Sequence, residues 1–212
     1  MHLQFDELIG RNKLRLIYII FQEDLKMNIK GIFIVTTKTV IVQGFGEERW
    51  NAFMTKLAEK DPFFSKVIMA ISLVPIEKLF IFFDEMCKEF FNNDKMAYVI
   101  FGKSGAKYVL QSGGMYHSYL LNKDIKNFVE FALPKLWSTY YDQGIITTKY
   151  ENNIVHIKIT GVNVKYIYFE HLLMGYFQQA LKVFGKKSVA KKVRSIVQGD
   201  GDIYFQFELK DS

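Results

Sequence analysis

The stretch from Val164 to Leu209 constrains this chain more than any other. Across Tyr166 to Phe184, Leu173, Tyr176, Phe177, Ala180, Leu181 and Phe184 recur at i, i+3, i+4 and i+7, the spacing that lines one face of an α-helix. Gly185 follows the last of them, with Lys182, Lys186 and Lys187 beside it, the pattern of a helix C-terminus. Period-two alternation comes next: Ile203, Phe205, Phe207 and Leu209 against Tyr204, Gln206 and Glu208, one apolar and one polar strand face. Gly199-Asp200-Gly201-Asp202 separates this run, Asp202–Leu209, from Val189–Val197, and Gly and Asp tolerate the positive φ of a hairpin turn. A helix followed by a hairpin cannot bury both apolar faces alone. Earlier parts of the chain must complete the core.

Composition says what kind of chain could do that. Half of the 212 residues are hydrophobic and 16% are aromatic, which excludes a disordered polymer. Three prolines and 14 glycines favour long regular elements. The net charge of +6 is modestly basic, within the range of ordinary soluble proteins. A single cysteine, Cys87, excludes an internal disulfide and a multi-cysteine zinc site, and points to a reducing, cytoplasmic setting. Near the start, Arg11, Lys13 and Arg15 accompany the apolar run Leu14–Phe21, which is far shorter than the roughly 20 residues that span a bilayer. No small-residue cleavage site follows it, so neither a signal peptide nor a membrane span is expected. Residues 1–28 read as an N-terminal extension, with Met27 an alternative start, and 29–212 as one domain.

In chain order, the β-branched run Ile29–Val42 reads as one or two strands, broken at Gly44-Phe45-Gly46. Glu47–Lys60 reads as a helix with Trp50, Phe53, Met54 and Leu57 on one face. Asp61-Pro62 caps a further helix, and Pro75 opens the next, to about Phe91. Asn92-Asn93-Asp94 ends it and caps Met96–Leu110; Gly113-Gly114 is a break, and Lys123 to Tyr141 is helical. Ile145–Tyr150 and Ile154–Thr160 form a hairpin over Glu151-Asn152-Asn153. The expected class is α+β: a helical N-terminal half packed on a four-stranded antiparallel sheet, in strand–strand–helix–strand–strand order.

Several short motifs carry a resemblance. Phe101-Gly102-Lys103-Ser104-Gly105-Ala106, Leu133-Pro134-Lys135-Leu136-Trp137 with Tyr141 and Gly144, and the ending from Gly199 to Leu209 resemble an uncharacterised bacterial family best known as paralogues in myxobacteria. Lys30-Gly31 and the Pro75 helix start fit it too, so the resemblance covers roughly residues 29–209. The C-terminal half is similar to a wider superfamily: haem-nitric-oxide sensor domains, 4-vinyl-reductase-like domains and TRAPP subunits. That resemblance implies a domain that binds small or lipidic ligands or works in assemblies, without one shared reaction.

The side-chain chemistry is sparse. A haem sensor of that superfamily needs a proximal His and a Tyr-x-Ser-x-Arg motif. Tyr116-His117-Ser118-Tyr119-Leu120 has leucine in place of the arginine that would pair with anionic propionates. Among the histidines (His2, His117, His156, His171) only His171 has a position suited to a ligand. The zinc site of some relatives would need cysteines where Asp202 and Gln206 stand. No cofactor or metal is expected. There is no Gly-x-Ser-x-Gly elbow, phosphate loop or His-Glu-x-x-His, so the chain does not read as an enzyme. Asp84-Glu85 and Glu47-Glu48 read as solvated faces, and Cys87 as an inert core thiol.

Two function classes follow: a sensory or regulatory module that binds a small apolar ligand, or a dimerising interaction or scaffold domain with none. The expected pocket lies between the helical half and the C-terminal helix, lined by Trp137, Tyr141, Phe169, Leu173 and Phe177, with His171 or the Tyr141 hydroxyl as polar handle. Lys186, Lys187, Lys191, Lys192 and Arg194 form a basic cluster that would suit a polyanion, although nucleic acid is not an expected partner. The dense aromatic helices, Ile76–Phe91 above all, predict a homodimer.

Overall fold

The computed structural model describes residues 27–121 and 124–211. The apolar run Leu14–Phe21 and the expected helix start at Lys123 lie outside them.

The first elements correct the reading of Ile29–Val42. A short strand β1 (Asn28–Lys30) turns directly into helix α1 (Ile32–Phe45), so most of the β-branched run is helical. β-branched side chains disfavour a helix by only about half a kcal/mol per residue. Burial of Ile32, Phe33, Ile34, Thr36, Thr37 and Ile41 outweighs that cost. Thr36 and Thr37 are tolerated inside because both hydroxyls donate to the Phe33 carbonyl, at 3.1 and 2.7 Å.

The rest of the helical half forms as expected, with small shifts. Helix α2 (Glu47–Lys60) is followed by a single 3₁₀ turn, Pro62–Ser65, in place of the expected full helix, capped by the Asp61 carboxylate on the Phe63 N–H. Strand β2 (Leu73–Pro75) pairs antiparallel with β1 and leads into helix α3 (Ile76–Phe90). Asn92 and Asn93 take positive φ, Asp94 accepts from the Met96 N–H, and helix α4 (Ala97–Leu110) follows.

Helix α5 (Ile125–Asn127) widens into a π turn, Phe128–Ala132, before helix α6 (Leu133–Tyr140). Pro134 explains the widening. It has no N–H to give the Glu130 carbonyl and its ring crowds that carbonyl, so the turn re-registers. In the shifted register position 134 faces the Val129 carbonyl, which, lacking an N–H there, accepts from Thr148 Oγ1 at 2.6 Å. This ties the helix to strand β3 (Ile145–Glu151).

Strands β3, β4 (Ile154–Thr160), β5 (Lys186–Arg194) and β6 (Ile203–Asp211) form one antiparallel sheet in the order β3-β4-β6-β5. Asn152 and Asn153 make the β3–β4 turn with positive φ. The inward side chains Val155, Ile157, Ile159, Ile203, Phe205 and Phe207 are fully buried. β5 begins earlier than the sequence suggested and stops at Arg194, because Ser195 turns its N–H to the Asp200 carboxylate at 2.7 Å and Ile196–Gln198 coils into a 3₁₀ turn.

Helix α7 (Ile167–Lys182) covers this sheet and crosses α4 at backbone distance. A Cβ on Gly102 would lie 2.0 Å from the Leu172 carbonyl oxygen, and one on Gly175 would lie 2.2 Å from that of Val99. Only glycine permits so close a crossing. This places the far ends of both helices, and everything they carry, side by side.

Candidate functional site

An apolar cavity lies where α6 and α7 meet over α1. Leu133, Leu136, Trp137, Tyr140 and Tyr141 come from α6 and its end, Leu173, Tyr176 and Phe177 from α7, and Phe33 from α1. Together they enclose a void of about 20 Å³ with no polar group exposed to it. That is room for about one water-sized molecule. The rings are too stiff to collapse into the space. Trp137 stacks on Tyr141 with centroids 4.1 Å apart, and its Nε1 donates to the carbonyls of Gln143 and Gly144 at 3.2 and 3.1 Å. Tyr140 meets Phe33 and Tyr176 edge-on, at 5.2 and 5.9 Å.

A second void, of about 10 Å³, adjoins the first and shares Phe33, Tyr140 and Tyr176 with it. Ile32, Thr36, Val109 and Gly105 complete its wall. Gly105 is buried, yet an added Cβ there would meet nothing within 4 Å. Between the two spaces stand the hydroxyls of Tyr140 and Tyr176. They face each other with no further partner among the described residues, and burial raises both phenol pKa values.

Of the expected pocket residues, Trp137, Tyr141, Leu173 and Phe177 line the first void. Phe169 stands behind Tyr141, edge-on at 6.1 Å. His171 faces elsewhere: its ring meets Tyr168 at 5.7 Å and its buried Nδ1 has no partner among the described residues. Burial lowers its pKa, and the nearby Lys192 lowers it further. Phe33 was missed because its segment read as a strand. Tyr140 and Tyr176 had the right helical register but no sequence signal for unpartnered hydroxyls.

The remaining chemical groups are tied into the fold. Asp84 is not simply solvated: it accepts from the Tyr98 and Tyr166 hydroxyls at 2.8 and 2.6 Å and pairs with Lys95. Burial pushes its pKa up, and these bonds together outweigh burial and hold it low. Burial pushes the Cys87 thiol up to about 11. The basic cluster divides. Lys192 binds the wholly buried Glu170 at 2.7 Å, which also accepts from Ser195 Oγ, and Arg194 binds Asp202 at 2.5 Å. Lys187 and Lys191 stay exposed. Among the described residues, no group of three His, Cys, Asp or Glu side chains could hold a metal, and no helix is long and apolar enough to cross a membrane.

No protein-family model matches the sequence, and no curated protein matches it. Solved structures do match the backbone. One is an H-NOX protein from S. oneidensis in the Fe(II)NO ligation state, TM-score 0.65 at 15% identity, covering 86% of this chain and 100% of that one. The chain has the H-NOX fold. An oxygen-binding H-NOX domain related to soluble guanylate cyclases gives a TM-score of 0.62 at 13% identity, covering 86% and 96%. An unliganded Fe(II) H-NOX mutant from K. algicida gives 0.61 at 13% identity, covering 87% and 98%.

Within this H-NOX fold the residues do not suit haem. No histidine, cysteine or cation lines either void, and the space is far smaller than a porphyrin. In the stretch Tyr116 to Leu120, which the sequence reading compared with Tyr-x-Ser-x-Arg, Leu120 is buried and carries no charge, while His117 Nδ1 lies 3.1 Å from the Leu110 carbonyl oxygen. Tyr116 packs edge-on against Tyr140 at 5.5 Å. None of residues 116–120 lines either void; the segment touches the site only through Tyr116 behind Tyr140.

Proposed function

We propose that this chain is a non-enzymatic sensory or regulatory domain that takes a small apolar ligand in the void between α6 and α7. One observation carries the reading: Trp137, Tyr141, Leu173 and Phe177, with five further apolar or aromatic side chains, enclose space that stiff rings keep open. The observed room suits an apolar guest of a few atoms. A larger one would have to move Phe33 or the Tyr140–Tyr176 pair and join the two voids.

Xenon tests this directly, because dry apolar voids admit it without hydrogen bonds. Under xenon pressure the methyl resonances of Leu133, Leu136 and Leu173 should shift saturably, and Leu173→Phe, which fills the space, should abolish the shift. Unchanged spectra in the wild type would sink the reading. Native mass spectrometry of protein purified from its own host would then show whether a natural guest is retained.

The second reading, a self-associating adaptor, rests on a different surface from the one the sequence suggested. The α3 face is covered within the chain, where Phe82 and Phe83 meet Trp50, Phe53, Tyr98 and Phe101. Exposed apolar side chains gather instead at Val67, Met69, Ile71 and Leu73. Light scattering at tens of micromolar, compared with a Val67→Lys, Ile71→Lys double variant, separates monomer from dimer.

A further inference from the structure

On the surface beside the α4–α7 crossing lies a depression of about 560 Å³. Its wall is Lys103 from α4, Gln178, Gln179 and Lys182 from α7, Lys186, Lys187, Ser188 and Val189 from β5, and Lys210 from β6. Five lysines from four elements converge, and no acidic residue lines the space among the described residues. The sequence reading grouped Lys186 and Lys187 with Lys192 and Arg194, but the latter two are held by Glu170 and Asp202 outside this depression. Lys103 and Lys210, distant in sequence, take their place.

The strand register adds an independent observation. Lys187 stands directly opposite Lys210 across the antiparallel β5–β6 pair. Like charges so placed repel, and a fold gains nothing from the arrangement by itself. Among the described residues, Lys210 has one loose ion pair, with its own strand neighbour Glu208 at 3.8 Å. Lys103, Lys182 and Lys187 have no ion pair among the described residues. Such a concave, one-signed surface focuses the field on an anion that enters it.

We infer that this depression binds a compact, multiply charged phosphate group. Its shape and lining choose among anions. No aromatic ring lines it, so it offers nothing for stacking nucleic-acid bases. The amides of Gln178 and Gln179 and the Ser188 hydroxyl stand among the lysines as directional donors for phosphate oxygens. The phosphate could come from a free phosphorylated molecule or from a phosphorylated lipid headgroup. The inference is independent of the apolar cavity.

Isothermal titration of the full chain with inorganic tripolyphosphate at low salt tests it. Wild-type protein should bind, with affinity falling as salt rises. Lys182→Glu with Lys187→Glu should weaken binding by about tenfold or more for each lysine, as expected for hydrogen bonds to a charged group. Lys191→Glu, which reverses one charge on β5 outside the depression, should leave it nearly intact, whereas Lys187→Glu alone, an equal charge change inside it, should not. Circular dichroism of each variant checks that these exposed changes preserve the fold. Vesicles of phosphatidylcholine with and without a phosphoinositide form the second arm, where binding to vesicles alone assigns the phosphate to a lipid. Absence of binding in both arms, or equal weakening by Lys191→Glu, would overturn the site.

Discussion

Helix α4 has two glycines three residues apart that face opposite circumstances. Gly102 is sealed against α7, with the Leu172 carbonyl where its Cβ would be, whereas Gly105 is equally buried and looks into empty space. The first glycine serves a close crossing and the second borders a void. The contrast shows that the fold is tight where α4 and α7 cross and loose a turn further on, where Tyr140, Tyr176 and Phe33 meet. A core built only for stability would have filled the second region.

The largest effect should come from the sealed side. Gly102→Ala drives a methyl group into backbone that cannot swing away, and should cost about 3 kcal/mol or more. A lowered urea midpoint with unchanged slope would show it. A neutral result would mean that the helices can separate, and the contrast between the two regions would fall.

The porous side should answer with the opposite sign. Gly105→Ala gains helix propensity and meets no atom, so it should stabilise by about 1 kcal/mol. Tyr140→Phe removes a buried hydroxyl whose one polar neighbour is the Tyr176 hydroxyl, and should leave stability within about 1 kcal/mol of wild type. A loss well beyond that would mean that the two hydroxyls bond to each other or through a bound guest or water, and that the space between the voids is polar.

The smallest effect concerns His171, on α7 but away from both voids. Burial holds its folded pKa below the ordinary value, so the unfolded chain binds the proton more readily. The stability it contributes is complete above its unfolded pKa of about 6.5, and is lost as pH falls through the lower folded value. His171→Gln should therefore flatten the fall in stability as pH drops below about 6.5. An unchanged profile would place the titration on another group.

Much of this architecture was legible in residue patterns. The alternation Ile203 to Leu209 and the helical spacing Leu173 to Leu181 gave the sheet and its covering helix, because period-two and period-3.6 burial are local consequences of backbone geometry. The same logic misread Ile29–Val42, where β-branched residues occur in a helix buried on several sides and intrinsic preference yields to burial. It placed Trp137, Leu173 and Phe177 on helix faces that turn toward each other, and with Tyr141 they make four of the nine side chains around the first void. Phe33 could not be, since its element had the wrong type.

The sequence by itself determined which residues turn inward and where the hairpins bend. Only the tertiary structure decided what those residues meet. Gly102 and Gly105 are alike in sequence, and the crossing of α7 alone makes one a contact and the other a gap. Lys192 and Lys187 lie on one strand, and long-range neighbours make the first a partner of buried Glu170 and leave the second facing Lys210. Periodicity is a property of the local backbone, whereas a void or a converging charge depends on distant segments arriving together. No local pattern encodes that distance.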